Sequence, residues 1–170
     1  NNWTFTGTNG CGFFNGGALT SANLENAWVA GSCGQILRTL DGGQTWDNQL
    51  IPNDYNNTTF RAIYFTNPNS GWAVGDNGTI LATYNGGSKI RPSDWGRTTS
   101  PTKMNLRTVK AVSRNVVWAA GDSGTVLLTV NAGEIWNSVG GGTIGKARIY
   151  AIDAISASTA FVAVGEGDGE

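Results

Sequence analysis

The chain repeats the segment Gly71-Trp72-Ala73-Val74-Gly75 at a nearly fixed interval. The other copies are Ala27-Trp28-Val29-Ala30-Gly31, Val117-Trp118-Ala119-Ala120-Gly121 and a weaker one over 160–165, in which Phe161 leads. Their closing glycines are spaced by 44, 46 and 44 residues: Gly31, Gly75, Gly121 and Gly165. A constant period of this length indicates a repeat protein, in which each copy is one supersecondary unit.

Each of the first three copies continues into a second apolar run and then a glycine-rich turn. The turns are Thr39-Leu40-Asp41-Gly42-Gly43-Gln44-Thr45-Trp46, Tyr84-Asn85-Gly86-Gly87 and Val130-Asn131-Ala132-Gly133-Glu134-Ile135-Trp136. In the second turn an insertion displaces the tryptophan to Trp95. Asp or Asn accepts hydrogen bonds from backbone amides in such a turn, Gly supplies a positive φ, and Trp packs over the hairpin. We therefore expect a structural role for Asp41, Gly43, Trp46, Asn85, Gly87, Asn131, Gly133 and Trp136.

The period and the turns predict an all-β fold, a β-propeller of four-stranded antiparallel blades. We expect one propeller region over 1–170, with repeats at approximately 9–51, 52–99, 100–140 and 141–170, and an outer strand of a preceding or closing blade at 1–8. About three blades would be complete and those at both ends partial, as part of a larger propeller of roughly 300 residues scaled from the period. The middle strands are apolar at nearly every position, which is expected where neighbouring blades cover both faces.

Charge and hydropathy exclude two classes of partner. The net charge is −1 and the pI about 5.4, so no general positive field attracts nucleic acid. No apolar run approaches the roughly 20 residues that a bilayer-spanning helix needs, so we expect no membrane insertion. The first residues resemble neither a signal peptide nor an initiator methionine, which favours a processed or excised chain.

Cysteines and sequons favour an extracytoplasmic location, whether secreted, cell-surface, periplasmic or lumenal. Cys11 and Cys33 can form a disulfide or remain two buried thiols. Sequons for N-glycosylation occur at Asn2, Asn56, Asn57 and Asn77.

Catalytic residues are hard to assign, because the chain contains no histidine. This absence removes His-dependent triads and the usual zinc ligand, and two cysteines cannot complete a structural zinc site. We expect no cofactor and no metal. The carboxylates available for glycoside hydrolysis are Asp76, Asp122, Asp153 and Glu166. Asp76 and Asp122 share a repeat position, where we expect turn residues that accept backbone amides, and Asp153 lies in a predicted inner strand. No catalytic set emerges, so we predict a non-enzymatic protein.

Two arginines stand at equivalent positions, fourteen residues before their repeat glycine. Arg61 and Arg107 begin predicted inner strands, whereas this position is Gly17 in the first repeat and Ala151 in the fourth. Arg148 fits the series if the fourth repeat contains an insertion. The arginines are either solvated side chains at a strand entrance or an anion-binding rim at one mouth of the axial channel.

A second basic region coincides with the insertion. Seven of the eleven basic residues fall between positions 89 and 114, a segment with no Glu and only one Asp. Loops on rigid scaffolds concentrate binding residues. The loop residues Lys89, Arg91, Arg97 and Lys103 are therefore candidates for binding an acidic protein partner.

The motifs resemble two known groups of propellers. Residues 39–46 match the Asp-box, or BNR repeat, of sialidases and related propellers at every defining position. Repeat by repeat, the whole chain is similar to the BNR-like propellers of the photosystem II assembly and stability factor family, and Gly71 to Leu81 matches their pattern closely. The resemblance implies a non-catalytic, lumenal or extracytoplasmic binding scaffold, in which Arg61 and Arg107 at one mouth would contact a protein partner.

Two alternatives remain open at this level. The chain can be a piece of a sialidase-like or xyloglucanase-like enzyme, or a lectin that stacks aromatic rings on glycans; Trp3 and Trp95 lie outside the repeated core positions and are free for that role. It can also be a structural module of a surface appendage, in which neighbouring copies of the chain complete each other's blades.

Overall fold

The structure, a computed structural model, describes residues 14–20, 25–140 and 144–165. Several predicted features lie outside these residues: the strand over 1–8, the sequon at Asn2, and the residues Trp3, Cys11 and Glu166. Within the described part, the strands are β1 (Phe14–Thr20), β2 (Asn26–Gly31), β3 (Ile36–Thr39), β4 (Asp47–Asn48), β5 (Phe60–Phe65), β6 (Gly71–Gly75), β7 (Ile80–Thr83), β8 (Gly96–Arg97), β9 (Leu106–Ala111), β10 (Val117–Gly121), β11 (Val126–Thr129), β12 (Asn137–Ser138), β13 (Arg148–Ala154) and β14 (Ala160–Gly165).

These strands form three four-stranded antiparallel sheets and one two-stranded sheet. The sheet orders are β1-β2-β3-β4, β5-β6-β7-β8, β9-β10-β11-β12 and β13-β14, so each sheet is a continuous meander. The first strands pack against one another in the order β1, β5, β9, β13 and are therefore the inner strands. The predicted propeller of four-stranded blades is confirmed, with three full sheets and a partial one. No helix in the described residues is both long and apolar enough to cross a membrane.

The hydrophobic core is divided among the spaces between successive sheets. Trp28 and Phe65 stack at 3.8 Å between the first two sheets, and separate clusters fill the next two spaces. Every residue of β6 and β10 is buried. The continuous apolar pattern of these strands thus reflects a sheet with another sheet on each face, as the sequence predicts.

A threonine hydroxyl lies at the centre of each glycine-rich turn. Thr39 Oγ1 accepts the Gly43 amide at 2.8 Å, and the equivalent bonds join Thr83 to Gly87 and Thr129 to Gly133 at 2.9 Å. In each turn the same hydroxyl donates to the Asp or Asn two residues later. Side chains thereby satisfy part of the hairpin locally, while one amide of each turn bonds a more distant carbonyl: Gly42 to Glu25, Gly86 to Asn69 and Ala132 to Asn115.

Trp95 is fully buried, which corrects its proposed availability for sugar stacking. Its ring lies edge-on to Phe65 at 5.9 Å in the core between the first two sheets. Trp95 Nε1 faces Gly87, as Trp136 Nε1 faces Gly133 in the next repeat. The insertion therefore lengthens the loop without removing the tryptophan from its structural position.

We expect Asp41→Asn to lower stability near neutral pH but not in acid. Hydrogen bonds from the Thr45 side chain and backbone, and from Thr39, lower the pKa of Asp41 to about 2. A lowered pKa stabilises the fold above the ordinary value, about 4, and this contribution disappears as the pH falls through about 2. Asparagine fits the turn, since Asn131 accepts the Ile135 amide at the equivalent position. Thermal melts of both proteins should diverge at neutral pH and converge near the pKa; a pH-independent difference would contradict a charge effect.

Candidate functional site

The three arginines of the sequence series gather at one end of the inner strands. Arg61 and Arg107 are the extra residues of β-bulges at the starts of β5 and β9, and Arg148 is the first residue of β13. A bulge re-aims a side chain away from the regular sheet alternation. Because β5, β9 and β13 are neighbours, the three guanidinium groups share one mouth of the propeller.

Two aspartates hold these arginines in place. Arg61 Nε lies 2.5 Å from Asp76 Oδ1, and Arg107 Nε lies 2.5 Å from Asp122 Oδ1. Arg148 Nε reaches the same oxygen of Asp122 at 3.1 Å, across the boundary between two sheets. We call these five residues the Arg rim. The two aspartates directly follow β6 and β10, which end at this mouth. Their carboxylates accept hydrogen bonds from guanidinium groups, whereas the sequence predicted bonds from backbone amides.

Asp122 is the most connected group of the Arg rim. Asn105 Nδ2 donates to Asp122 Oδ2 at 3.2 Å, while Asn105 Oδ1 accepts the Asn77 amide of the preceding sheet at 3.1 Å. Partial burial by itself would raise the pKa of Asp122, but hydrogen bonding and charge from Arg107, together with Asn105 and Arg148, hold it below the ordinary value. The carboxylate therefore stays ionised and links three successive sheets. Sequence reasoning missed Asn105 altogether.

The fourth and first repeats have residues other than arginine at the bulge of the inner strand. In β13 the register shifts between Ile149 and Ala151, so the bulged residue is Tyr150, whereas Arg148 reaches the Arg rim from two residues earlier, at the first position of the strand. In β1 the bulged residue is Asn15, rather than the Gly17 inferred from spacing, because the β1–β2 hairpin is longer. Asn15 Nδ2 donates to the Phe60 carbonyl oxygen at 3.1 Å, so the rim changes from charged to neutral there.

The basic loop residues do not form one cluster. Lys89 pairs with Asp47 of the first sheet at 3.2 Å, and Arg97 belongs to the outer strand β8. Lys103 follows Thr102, whose carbonyl oxygen packs on Gly78 beside the Arg rim. Arg91 is exposed. The segment that is continuous in sequence thus divides between the outer edge and the mouth.

Two of the candidate carboxylates, Asp122 and Asp153, differ from a glycosidase acid in the direction of their pKa shifts. Such an acid needs a raised pKa, whereas the pKa of Asp122 is lowered and that of Asp153 is lowered chiefly by its hydrogen bond with Lys110. Lys110 Nζ lies 2.7 Å from Asp153 and also above the Tyr64 ring. In the described part of the chain, no group of three or more His, Cys, Asp or Glu is arranged to hold a metal ion.

Cys33 and three of the four sequon asparagines lie on the surface at the same end as the Arg rim. Cys33 is exposed and disulfide-bonded; the other cysteine of the sequence, Cys11, is outside the described residues. Cys33 and Asn77 occupy equivalent positive-φ positions, with φ of 55° in both. Asn56, Asn57 and Asn77 are exposed, and their modification remains a prediction.

Sheets stacked through their inner strands, with BNR-type hairpins between the outer strands, define a segment of a BNR-repeat β-propeller. Residues 3–85, nearly half of the chain, match the family model described as "Photosynthesis system II assembly factor YCF48". Over that segment the chain is similar to the BNR-like propellers of the photosystem II assembly factor family. No curated protein sequence matches it.

Solved structures agree on the fold. "YCF48 bound to D1 peptide" matches with a TM-score of 0.66 and 23% identity, covering 79% of this chain and 42% of that one. "YCF48 from Cyanidioschyzon merolae" matches with a TM-score of 0.67 and 22% identity, covering 83% and 47%. An ancestral GH74 enzyme matches with a TM-score of 0.68 and 17% identity, covering 92% and 22%. The chain therefore spans less than half the length of each of these propellers.

Proposed function

We propose that this chain is part of a non-catalytic, extracytoplasmic propeller that binds an acidic segment of a partner protein at the Arg rim. The observation that carries the proposal is the convergence of Arg61, Arg107 and Arg148 at one mouth. Three positively charged guanidinium groups gather there around the carboxylates of Asp76 and Asp122. An acidic segment is complementary to that charge.

The geometry of the Arg rim suits a binding role. The arginine side chains are 29%, 21% and 26% exposed, so they are fixed by their aspartates yet remain reachable from solvent. Arg61 uses Nε toward Asp76, and Arg107 uses Nε and Nη2 toward Asp122. A guanidinium group offers five donors, so Arg61 and Arg107 keep further donors for a carboxylate ligand. Pre-ordered side chains also lower the entropic cost of binding.

The relatives and the cysteine support the partner class and the compartment. One YCF48 structure is a complex with a D1 peptide, and this chain shares its fold over part of its length. The disulfide at Cys33 is a bond that persists in oxidising compartments. The lowered pKa values of Asp122 and Asp153 favour a scaffold over a glycosidase, and the similarity to a GH74 enzyme concerns the fold.

Replacing Arg107 with glutamine should weaken binding of an acidic peptide by about tenfold, because one charge-assisted contact is lost. The probe is a fluorescein-labelled decapeptide of alternating Glu and Ala, followed by fluorescence anisotropy at fixed ionic strength. The double variant Arg61→Gln/Arg107→Gln should lose measurable binding.

The control is Arg91→Gln, which removes an equal charge from the basic loop and should leave the affinity unchanged. Equal weakening by both single variants would place binding on the loop or on overall charge, and would overturn the Arg rim assignment. Unfolding curves of each variant establish that lost binding is not lost folding.

A further inference from the structure

A groove lies between the second and third glycine-rich turns, at the strand ends opposite the Arg rim. β7 runs from the turn beside Asp76 to Asn85, so the two features are separated by the length of a strand. The groove has a volume of about 430 Å³, within the range typical of small-molecule sites. Its lining includes Tyr84, Asn85, Asp94, Arg97, Ala132 and Glu134.

The insertion of the second repeat creates this groove. Its 3-10 turn, Pro92–Asp94, and the following strand β8 form one wall, and the third turn forms the other. Between the first and second sheets, the corresponding space is crossed by a hydrogen bond from the Leu50 amide to the Ser88 carbonyl and by the Lys89–Asp47 ion pair. The space between the first and second sheets is therefore closed where the space between the second and third is open.

Polar side chains with unused hydrogen-bonding capacity face the groove. Asp94, Arg97 and Glu134 make no side-chain hydrogen bond to another residue that the structure describes. Asn85 accepts through Oδ1, and its Nδ2 donates to none of the described residues. These planar groups can each bond two neighbouring hydroxyls, and together they provide both donors and acceptors.

An aromatic ring forms the apolar side of the groove. Tyr84 is 39% exposed, yet its orientation is fixed: Arg114 lies 4.6 Å from the ring centroid, and Trp72 meets the ring edge-on at 6.2 Å. The Tyr84 hydroxyl donates to the Ala132 carbonyl across the two sheets. A held tyrosine offers contact area with little loss of conformational entropy.

We propose that this groove binds an uncharged saccharide. A sugar ring combines an apolar C–H surface, which suits Tyr84, with vicinal hydroxyls, which suit the planar polar groups. The lining holds one cation against two carboxylates, and Arg114 on the Tyr84 ring offsets the second, so the groove has no excess positive charge that would favour an acidic peptide or a sulfated glycan. The site is separate from the Arg rim and does not depend on the proposed peptide binding.

The test uses the full 170-residue chain and a panel of neutral tetrasaccharides built from glucose, xylose, mannose or N-acetylglucosamine. Saturation-transfer NMR should detect at least one member, and calorimetry then measures its affinity. Asp94→Ala and Glu134→Ala should each weaken that affinity by about tenfold or more, as expected for a lost hydrogen bond to a charged group. Asp54→Ala removes an exposed acid outside the lining and should have no effect.

Three outcomes would overturn the saccharide site. The first is that no tetrasaccharide of the panel binds. The second is that Asp54→Ala weakens binding as much as the groove variants do. The third is that a heparin oligosaccharide or the Glu/Ala peptide competes for the groove and binds more tightly than the saccharide. Arg107→Gln should leave saccharide affinity unchanged, which separates this result from the Arg rim. Unchanged unfolding curves for Asp94→Ala and Glu134→Ala show that the variants remain folded.

Discussion

Gly121→Ala is expected to destabilise the chain by about 3 kcal/mol or more, as for other severe overpacking in a core. A Cβ at this position would overlap the carbonyl oxygen of Asn105 and crowd Leu106 Cα, both of which are backbone atoms. The backbone of Gly121 is extended, with φ of −175°, so alanine could adopt the conformation itself. The expected effect is therefore steric, and the strand β9 would have to move away from β10.

Gly96→Ala is the matched control for this prediction. It places the same methyl group on the outer strand β8, where the nearest atom would be the Ala82 carbonyl oxygen at 3.8 Å. Its stability should stay within about 0.5 kcal/mol of the parent, as for most surface substitutions. Urea unfolding followed by tryptophan fluorescence measures both variants. Equal stability of Gly121→Ala and the parent would show that the backbone at Asn105 moves aside at no cost, and would refute the close packing of Gly121 against it.

Asp122→Asn should destabilise the chain by about 2 kcal/mol near neutral pH. The substitution leaves Arg107 and Arg148 without their shared counter-charge in a site where the aspartate side chain is only 19% exposed. Removing one partner of a fully buried pair costs about 3–5 kcal/mol, and partial solvation lowers that figure here. Because the pKa of Asp122 is lowered, its contribution is present above the ordinary pKa and lost in acid. The stability difference should therefore shrink below about pH 4.

Asp47→Asn provides the control, because it removes one partner of an exposed pair. The Lys89 and Asp47 side chains are 63% and 49% exposed, and such pairs contribute about 0–1 kcal/mol. Equal losses in the two variants would mean that Asp122 has no special role. Asp122→Asn should also bind the acidic probe peptide more tightly than the parent, since it removes a competing carboxylate from the Arg rim.

Much of the fold follows from local sequence. The period of the Trp-containing segment and the Thr-x-Asp/Asn-x-Gly turns predict the order of the strands, and the structure confirms three full sheets and a partial one. The sequence signal for these features comes from side-chain hydrogen bonds within four residues and from apolar runs, both of which can be recognised along the chain. The arginine positions 61 and 107 were also visible from the period.

The partners of those arginines were not predicted, although a signal existed. Arg61 and Asp76 are 15 residues apart, as are Arg107 and Asp122, and a recurring charge pair at one spacing can be found in sequence. The link from Arg148 to Asp122 has no such repeat, because it joins two sheets whose relative position depends on how they stack.

The sequence by itself determined the repeat, the antiparallel sheets and the hairpin turns, because those features arise from contacts between residues close in the chain. The tertiary structure decided the contacts between sheets and between loops that are distant in the sequence. It buried Trp95, opened a groove beside the insertion, and showed that Gly75 and Gly121 are glycines because the carbonyls of Thr59 and Asn105 approach them too closely for a side chain. Such contacts depend on the stacking of sheets and loops, which no local pattern specifies.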